Sequence, residues 1–352
     1  MNLTELSNNI RKALPFVFLG ILVIFIIFYS INLILRVIEL SKVQPIHTDT
    51  IFGKIQAPQI KNASTSAGLS FILDTIEGKP VTATDSAKVF YLPPPVSRFG
   101  YREKVYLIAK TLGLNTDITK YQLREETAVL ADTTQELSVD IRNFNFTYQY
   151  HFENNPNLFA NAATPTTKGS QDQAVNFLQK IGRYPDEFAQ GTVNTIFFNY
   201  NLETKELKQL GRNTGANLAE VDFYRPDIDG YPVVSPSFFN SPNYVLLMTA
   251  GDGTARIIKA QIHFFEKSDQ QVGYYPLKTG DQAYNDLKAG KGMVVSNQAG
   301  QKKIVIKTME LGYLDPDFYQ DYFQPVYVFI GDNNFVAYVP AITDNYLIPQ
   351  KK

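Results

Sequence analysis

From Leu14 to Leu35 the chain reads LPFVFLGILVIFIIFYSINLIL, 22 residues without a charge. As a helix, such a run is long enough to cross a hydrocarbon layer of roughly 30 Å. A secretory signal peptide has an apolar core of only about 7 to 15 residues, followed by a small-residue cleavage site. Here Arg36, Val37, Ile38 and Glu39 follow instead. A helix that is apolar on every side at the start of a chain also has little protein to cover it. The sequence therefore predicts a transmembrane helix over residues 14–36, embedded in the lipid bilayer. Arg11 and Lys12 before it nearly match Arg36 and Lys42 after it, so flanking charge does not orient it. With 13 residues ahead of the run and more than 300 behind, the expected topology is a single-pass signal anchor in the cell membrane. Residues 1–13 are then cytoplasmic and the C-terminal domain is extracytoplasmic.

Residues 37–68 contain Pro45, Gly53, Pro58 and the small polar run from Asn62 to Gly68. Such residues bury little and cost entropy to order, so this stretch is expected to be a tether. Beyond it, one helix alternates with several strands three times. Tyr101, Val105, Ile108, Ala109 and Leu112 recur at helical spacing, and Gly113 follows as a terminator. Ser170 and Gln173 have the spacing of a capping box ahead of Ala174, Phe177, Leu178 and Ile181. Thr279 and Gln282 repeat it ahead of Ala283 and Leu287, with Gly290 beyond.

Strand signals follow each helix. Phe144, Phe146, Tyr148, Tyr150 and Phe152 alternate with polar residues at period two, the mark of a sheet with one covered face. Asp252-Gly253 and Asp332-Asn333-Asn334 sit between strand-like runs with hairpin turn chemistry. The expected fold is α+β: an N-terminal transmembrane helix, then tandem modules of one helix packed on an antiparallel β-sheet. The module bounds are 69–165, 166–275 and 276–345, with a tail over 346–352.

The helix-then-meander unit, with turns such as Tyr200 to Leu207, resembles the PepSY-type α+β module. The stretch from Asp229 to Val234, DGYPVV, is similar to the G-x-P-V strands of YycH- and YycI-type membrane-anchored regulators. So are Leu311-Gly312-Tyr313, Gln324 to Phe329 and Phe335 to Ala341. That resemblance implies one membrane helix and an exported domain that contacts a membrane protein. The chain resembles more closely an uncharacterised group of single-pass proteins from candidate-phyla bacteria. The shared residues are Phe52-Gly53-Lys54, Leu92-Pro93-Pro94-Pro95, Phe99 to Lys104 and Thr147 to Tyr150. None of these motifs implies a catalytic residue.

With no cysteine, thiolate nucleophiles, thiolate zinc sites and disulfide frameworks are excluded. Lys and Arg number 33 against 34 Asp and Glu, so the concentrated basic field of a nucleic-acid binder is missing. The three histidines, His47, His151 and His263, form no H-E-x-x-H pair; His151 and His263 are expected on the wetter face of their strands. No phosphate-binding loop, dinucleotide fingerprint or nucleophile elbow is present. No cofactor, nucleotide or metal is therefore expected. Asp227 with Asp229, and Asp315, Asp317 and Asp321, depart from calcium-loop spacing and read as turns.

The segment from Asp315 to Gln324, DPDFYQDYFQ, sets four aromatics among acids. Aromatics are enriched where proteins meet, so Phe318, Tyr319, Tyr322 and Phe323 are the candidate partner-contact residues. Three functions fit. The first is a noncatalytic extracytoplasmic binding or regulatory protein acting on a protein partner in the envelope. The second is an anchored envelope hydrolase acting on wall polymer or glycan through Asp227, Asp229, Asp315 or Asp317. The third is a structural subunit of a secretion or appendage complex. The lack of a catalytic constellation favours the first.

Overall fold

The computed structural model describes residues 20–34 and 48–349, apart from residues 98, 118, 160 and 299. The chain divides into two units, one ending at His47 and one beginning at Thr48. In the first, residues 20–34 are helical and exposed throughout, and the rings of Phe25 and Tyr29 stack one turn apart. Among the described residues no helix is long and apolar enough to cross a membrane. The rest of the expected span (residues 14–19, 35 and 36), residues 1–13, residues 37–47 and the last three residues of the tail lie outside the described part.

The second unit is α+β, with helices α1 (Tyr101–Thr111), α2 (Thr167–Lys180), α3 (Asp186–Gln190) and α4 (Gly280–Lys288). Helix α1 starts and stops where its periodicity and Gly113 place it, and Gly113 adopts φ 86°, a conformation that favours glycine. Helix α4 has the expected capping box: the Thr279 hydroxyl accepts from the Gln282 amide, and the Gln282 side chain accepts from Thr279. Helix α2 starts earlier than expected. Its N-cap is Thr166, which accepts from the Gly169 amide, and Ser170 lies within the helix, buried. Ser170-x-x-Gln173 is therefore not a capping box. Thr166 supplies the same chemistry one turn upstream, and Gly169 leaves space beneath its hydroxyl.

Nine strands form the larger sheet. Their spatial order is Glu206–Leu210, Val193–Asn201, Leu218–Phe223, Tyr244–Thr249, Ala255–Ile262, Phe146–Tyr150, Gln135–Asp140, Thr127–Ala131 and Lys120–Arg124. Every neighbour pair is antiparallel. Helices α1 and α2 bury Val105, Ile108, Ala109, Ala174, Phe177 and Leu178 in the same core as Phe146, Tyr148, Val221 and Leu247. Full burial of each larger side chain contributes about 1.5–3 kcal/mol. The sheet crosses the module boundary expected at residues 165/166, because Ala255–Ile262 pairs with Phe146–Tyr150.

The second large sheet has seven strands. Val233–Val234, Lys303–Leu314, Pro325–Gly331, Val336–Pro340, Met293–Ser296 and Ser64–Thr65 lie side by side, and Ser70–Leu73 also pairs with Lys303–Leu314. Helix α4 buries Ala283 and Leu287 in one core with Ile304, Leu311, Phe329 and Val339. Among the described residues three pairings are parallel: Ile55–Gln56 with Leu347–Ile348, Val233–Val234 with Tyr313–Leu314, and Ser70–Leu73 with Lys303–Ile306. Each brings an incoming segment against a strand far along the chain, a non-local choice that hairpin turns do not encode. A three-stranded sheet of Val272–Pro276, Ser86–Tyr91 and Tyr322–Phe323 completes the fold.

The part of the expected tether from Thr48 to Gly68 is built into this unit. Ile55 and Ser66 are fully buried, and the Ser66 hydroxyl donates to the Leu287 carbonyl at 2.7 Å.

Candidate partner-binding groove

The strand Lys303–Leu314 ends where Asp315 is drawn inward, and the chain loops outward before returning as Tyr322–Phe323. The inward pull comes from Arg225, which is 3% exposed. Its Nε donates to Asp315 Oδ1 at 2.9 Å, Nη1 to Glu187 Oε2 at 2.8 Å, and Nη2 to the Phe265 carbonyl. The guanidinium lies over the Phe264 ring at 3.8 Å, a cation–π contact strengthened by enclosure. Burial pushes the Asp315 carboxyl above its ordinary range, and Arg225 opposes that shift. Gly191 follows α3, and a Cβ there would collide with the Tyr224 carbonyl, so glycine lets α3 bring Glu187 to Arg225.

Around this anchor the four candidate contact residues separate. Phe323 is fully buried, stacked on Tyr313 with ring centroids 5.9 Å apart and edge-on to Phe90 at 6.3 Å. It is a core residue and cannot meet a partner; its position on a short paired strand turned it inward. The others are half-buried. Phe318 lies under Lys61 Nζ at 5.3 Å. The Tyr319 hydroxyl sits 3.1 Å from both the Leu92 carbonyl and Asp321 Oδ1. Tyr322 packs on Phe52 at 5.1 Å and Tyr91 at 6.2 Å. Burial raises the pKa of both tyrosines, so their hydroxyls keep their protons.

Phe318, Tyr319 and Tyr322 line one side of a groove of about 130 Å³ whose other side is Gln56, Ala57 and Gln59. Glutamine amides bridge the two sides. Gln320 accepts from the Gln59 amide and donates to the Gln59 carbonyl, both at 2.9 Å, and Gln324 donates to the Gln56 carbonyl at 2.9 Å. Gln324 is 3% exposed, and its Oε1 is enclosed without a donor. A primary amide offers a donor and an acceptor side by side, as a neighbouring strand does, so these side chains hold an extended backbone whatever its sequence. Nothing local in the sequence distinguished Gln320, Gln324 or Arg225 from ordinary surface polar residues.

The acidic candidates do not gather. Asp227 is exposed, and Asp229 sits on an exposed turn at φ 51°, paired with Lys88 at 2.7 Å. Asp315 is committed to Arg225, and Asp317 Oδ1 is enclosed without a hydrogen-bond donor. No group of three or more His, Asp or Glu that could hold a metal ion occurs among the described residues. His47 lies outside them. His151 and His263 are half-buried, each less buried than the neighbours Tyr150, Ile262 and Phe264, and burial lowers the His263 pKa, with Asp317 opposing the shift.

No protein-family model matches this chain, and no curated protein matches it. Among solved structures it is similar to an uncharacterized protein from Eubacterium rectale, with a TM-score of 0.35 and 11% identity over 78% of this chain and 89% of that one. It is also similar to the C-terminal domain of Bacillus megaterium YpeB, with a TM-score of 0.30 and 11% identity over 71% of this chain and 95% of that one.

Proposed function

We propose that this chain is a noncatalytic, membrane-anchored binding protein of the cell envelope that holds an extended segment of a protein partner against its aromatic groove. The observation that carries the reading is the groove itself. Half-buried Phe318, Tyr319 and Tyr322 stand opposite a backbone segment that Gln320 holds in place at Gln59, so the aromatic faces are the surface left for a partner. Aromatic anchors with few rotatable bonds are the chemistry of peptide recognition. The apolar run from Leu14 to Leu35 supplies the anchor, with the N-terminus cytoplasmic and the α+β unit outside. The helix-on-sheet units act as PepSY-like modules, on the strength of their helix-then-meander order, and the stretch from Asp229 to Val234 is similar to strands of the YycH and YycI type.

The test places a photo-crosslinking amino acid at Phe318 and, as control, at exposed Leu207, in native membranes. One reproducible adduct from position 318, absent from position 207 and lost when Tyr322 is also changed to Ala, supports the reading. No adduct, or the same adducts from both positions, overturns it. Protease added to intact cells should digest the C-terminal unit; full protection would overturn the topology.

A further inference from the structure

A second cavity, of about 210 Å³, opens beyond the wall that Phe265 shares with Tyr319. Pro93, Pro94, Pro95, Phe144, Phe264 and Phe265 give it apolar sides, and Arg142, Arg183 and Glu266 supply charge. Arg183 stands apart from the other cations there. Arg142 is paired with Asp140 at 2.7 Å and with Glu126. Among the described residues Arg183 has no carboxylate within ion-pair distance; its Nη2 donates to Asn145 Oδ1 at 2.7 Å, and its Nε is enclosed without an acceptor. Lys104 Nζ crowds the same place, above Gly182, and the two cations repel, which lowers the Lys104 pKa further after burial.

Leaving a half-buried cation underused is costly, yet the local structure is arranged to hold it there. Asn145 Oδ1 accepts from both Arg183 and the Phe264 amide. Phe144 takes φ 58° in the turn that joins Gln135–Asp140 to Phe146–Tyr150, where its amide donates to the Asp140 carbonyl at 2.8 Å, and that turn brings Asn145 round. Burial pulls the Arg183 pKa down to about 10, with Glu266 acting the other way through space, so the guanidinium remains charged at neutral pH. The nearby carboxylates Glu126 and Glu266 are exposed and hydrated, whereas Arg183 is half-buried with its Nε enclosed. A guanidinium offers planar paired donors that match a carboxylate.

We infer that the cavity beside Arg183 is a binding site for a monocarboxylate carrying an apolar or aromatic body. Its carboxylate meets the guanidinium and its body lies among Phe144, Phe264, Phe265 and the prolines. The cavity of about 210 Å³ is on the scale of a small aromatic acid or the last residue of a peptide. Glu266 at the mouth disfavours a dianion such as phosphate. This site does not depend on the groove at Phe318 or on membrane anchoring.

The experiment titrates the full-length chain with benzoate, with a tetrapeptide ending in free phenylalanine and with the same tetrapeptide amidated, by calorimetry. Binding of a carboxylate probe, at least tenfold weakened by amidation or by Arg183→Met, supports the inference. A peptide acid that binds tenfold tighter than benzoate assigns a chain terminus, and equal or reversed affinities assign a small acid. Should Arg183→Met fail to fold, Glu266→Gln at the exposed rim provides the second test and should tighten binding two- to fivefold. No binding by either acid, equal binding of acid and amide, or affinity unmoved by the folded variants overturns it.

Discussion

Arg225 and Asp315, 90 positions apart, form an enclosed ion pair with Nε 2.9 Å from Oδ1. Arg225 lies just past Leu218–Phe223 of the nine-stranded sheet, and Asp315 just past Lys303–Leu314 of the seven-stranded one. The pair therefore ties the two sheets together beneath the aromatic loop. Replacing Arg225 by Met strands the enclosed Asp315 carboxylate, while Glu187 keeps Lys267 at 3.6 Å, and should lower unfolding free energy by about 3–5 kcal/mol. Adding Asp315→Leu should recover part of that loss, because the remaining enclosed charge is removed. Urea midpoints of the two variants measure both terms; equal loss in the single and double variants would contradict the coupling.

Asp222 sets the pH dependence of the nine-stranded sheet. It is fully buried, with Oδ1 lacking a donor and Oδ2 3.4 Å from the Tyr224 hydroxyl. Burial first, then nearby Glu220, raises its pKa to about 7 from 3.8. Because the folded value lies above the unfolded one, its contribution is fully present below pH 4 and is lost as pH rises through 7. At about 1.4 kcal/mol per unit the loss reaches roughly 4 kcal/mol at most. Asp222→Asn should flatten the fall in urea midpoint between pH 5 and pH 8, and parallel profiles for parent and variant would sink this account.

Two short motifs written alike in the sequence should respond with opposite signs. Thr279 caps α4 with reciprocal bonds to Gln282, so Thr279→Ala should cost about 1 kcal/mol, and Thr279→Gly only a few tenths. Ser170 shares the spacing but is 1% exposed inside α2 with an unpartnered hydroxyl. Ser170→Ala removes that unpartnered group and improves helix propensity, so it should raise stability by about 0.5–1 kcal/mol. Thermal melts of the three variants check the signs.

That pair also marks the limit of what the sequence discloses. Caps and periodicity are local, so α1, the Phe146–Tyr150 strand and the hairpins at Asp252-Gly253 and Asp332 to Asn334 could be read from residues a few places apart. The strands Lys120–Arg124 and Thr127–Ala131 escaped, because the turn between them uses Glu125 at φ 52° where Gly or Asn would have signalled it. Which strand neighbours which depends on pairings between distant segments, and the join of Ala255–Ile262 to Phe146–Tyr150 has no local signature. At the groove, DPDFYQDYFQ revealed an aromatic surface. It did not reveal that Phe323 points inward while Phe318, Tyr319 and Tyr322 remain half-exposed, a division made by the Arg225 anchor.

The segment after the expected anchor is held as a bound strand, and that hold can be loosened one contact at a time. The Tyr275 hydroxyl accepts from the Phe52 amide at 3.2 Å and donates to the Gly53 carbonyl at 3.0 Å, while Gln320 grips Gln59. The Tyr275 ring is fully buried beside Phe52, with centroids 6.5 Å apart and planes nearly parallel, so Tyr275→Phe keeps the packing and removes only the hydroxyl. A buried hydrogen bond contributes about 0.5–1.5 kcal/mol net, so Phe52 amide exchange should accelerate two- to tenfold in native-state hydrogen exchange. Gln320→Ala should do the same at Gln59 and leave Phe52 unchanged, since the two holds share no atoms. The global urea midpoint should move little with Gln320→Ala, whose contacts are exposed. Uniform acceleration across residues 48–61 in either variant would show the segment releasing as one cooperative piece and would refute independent holds.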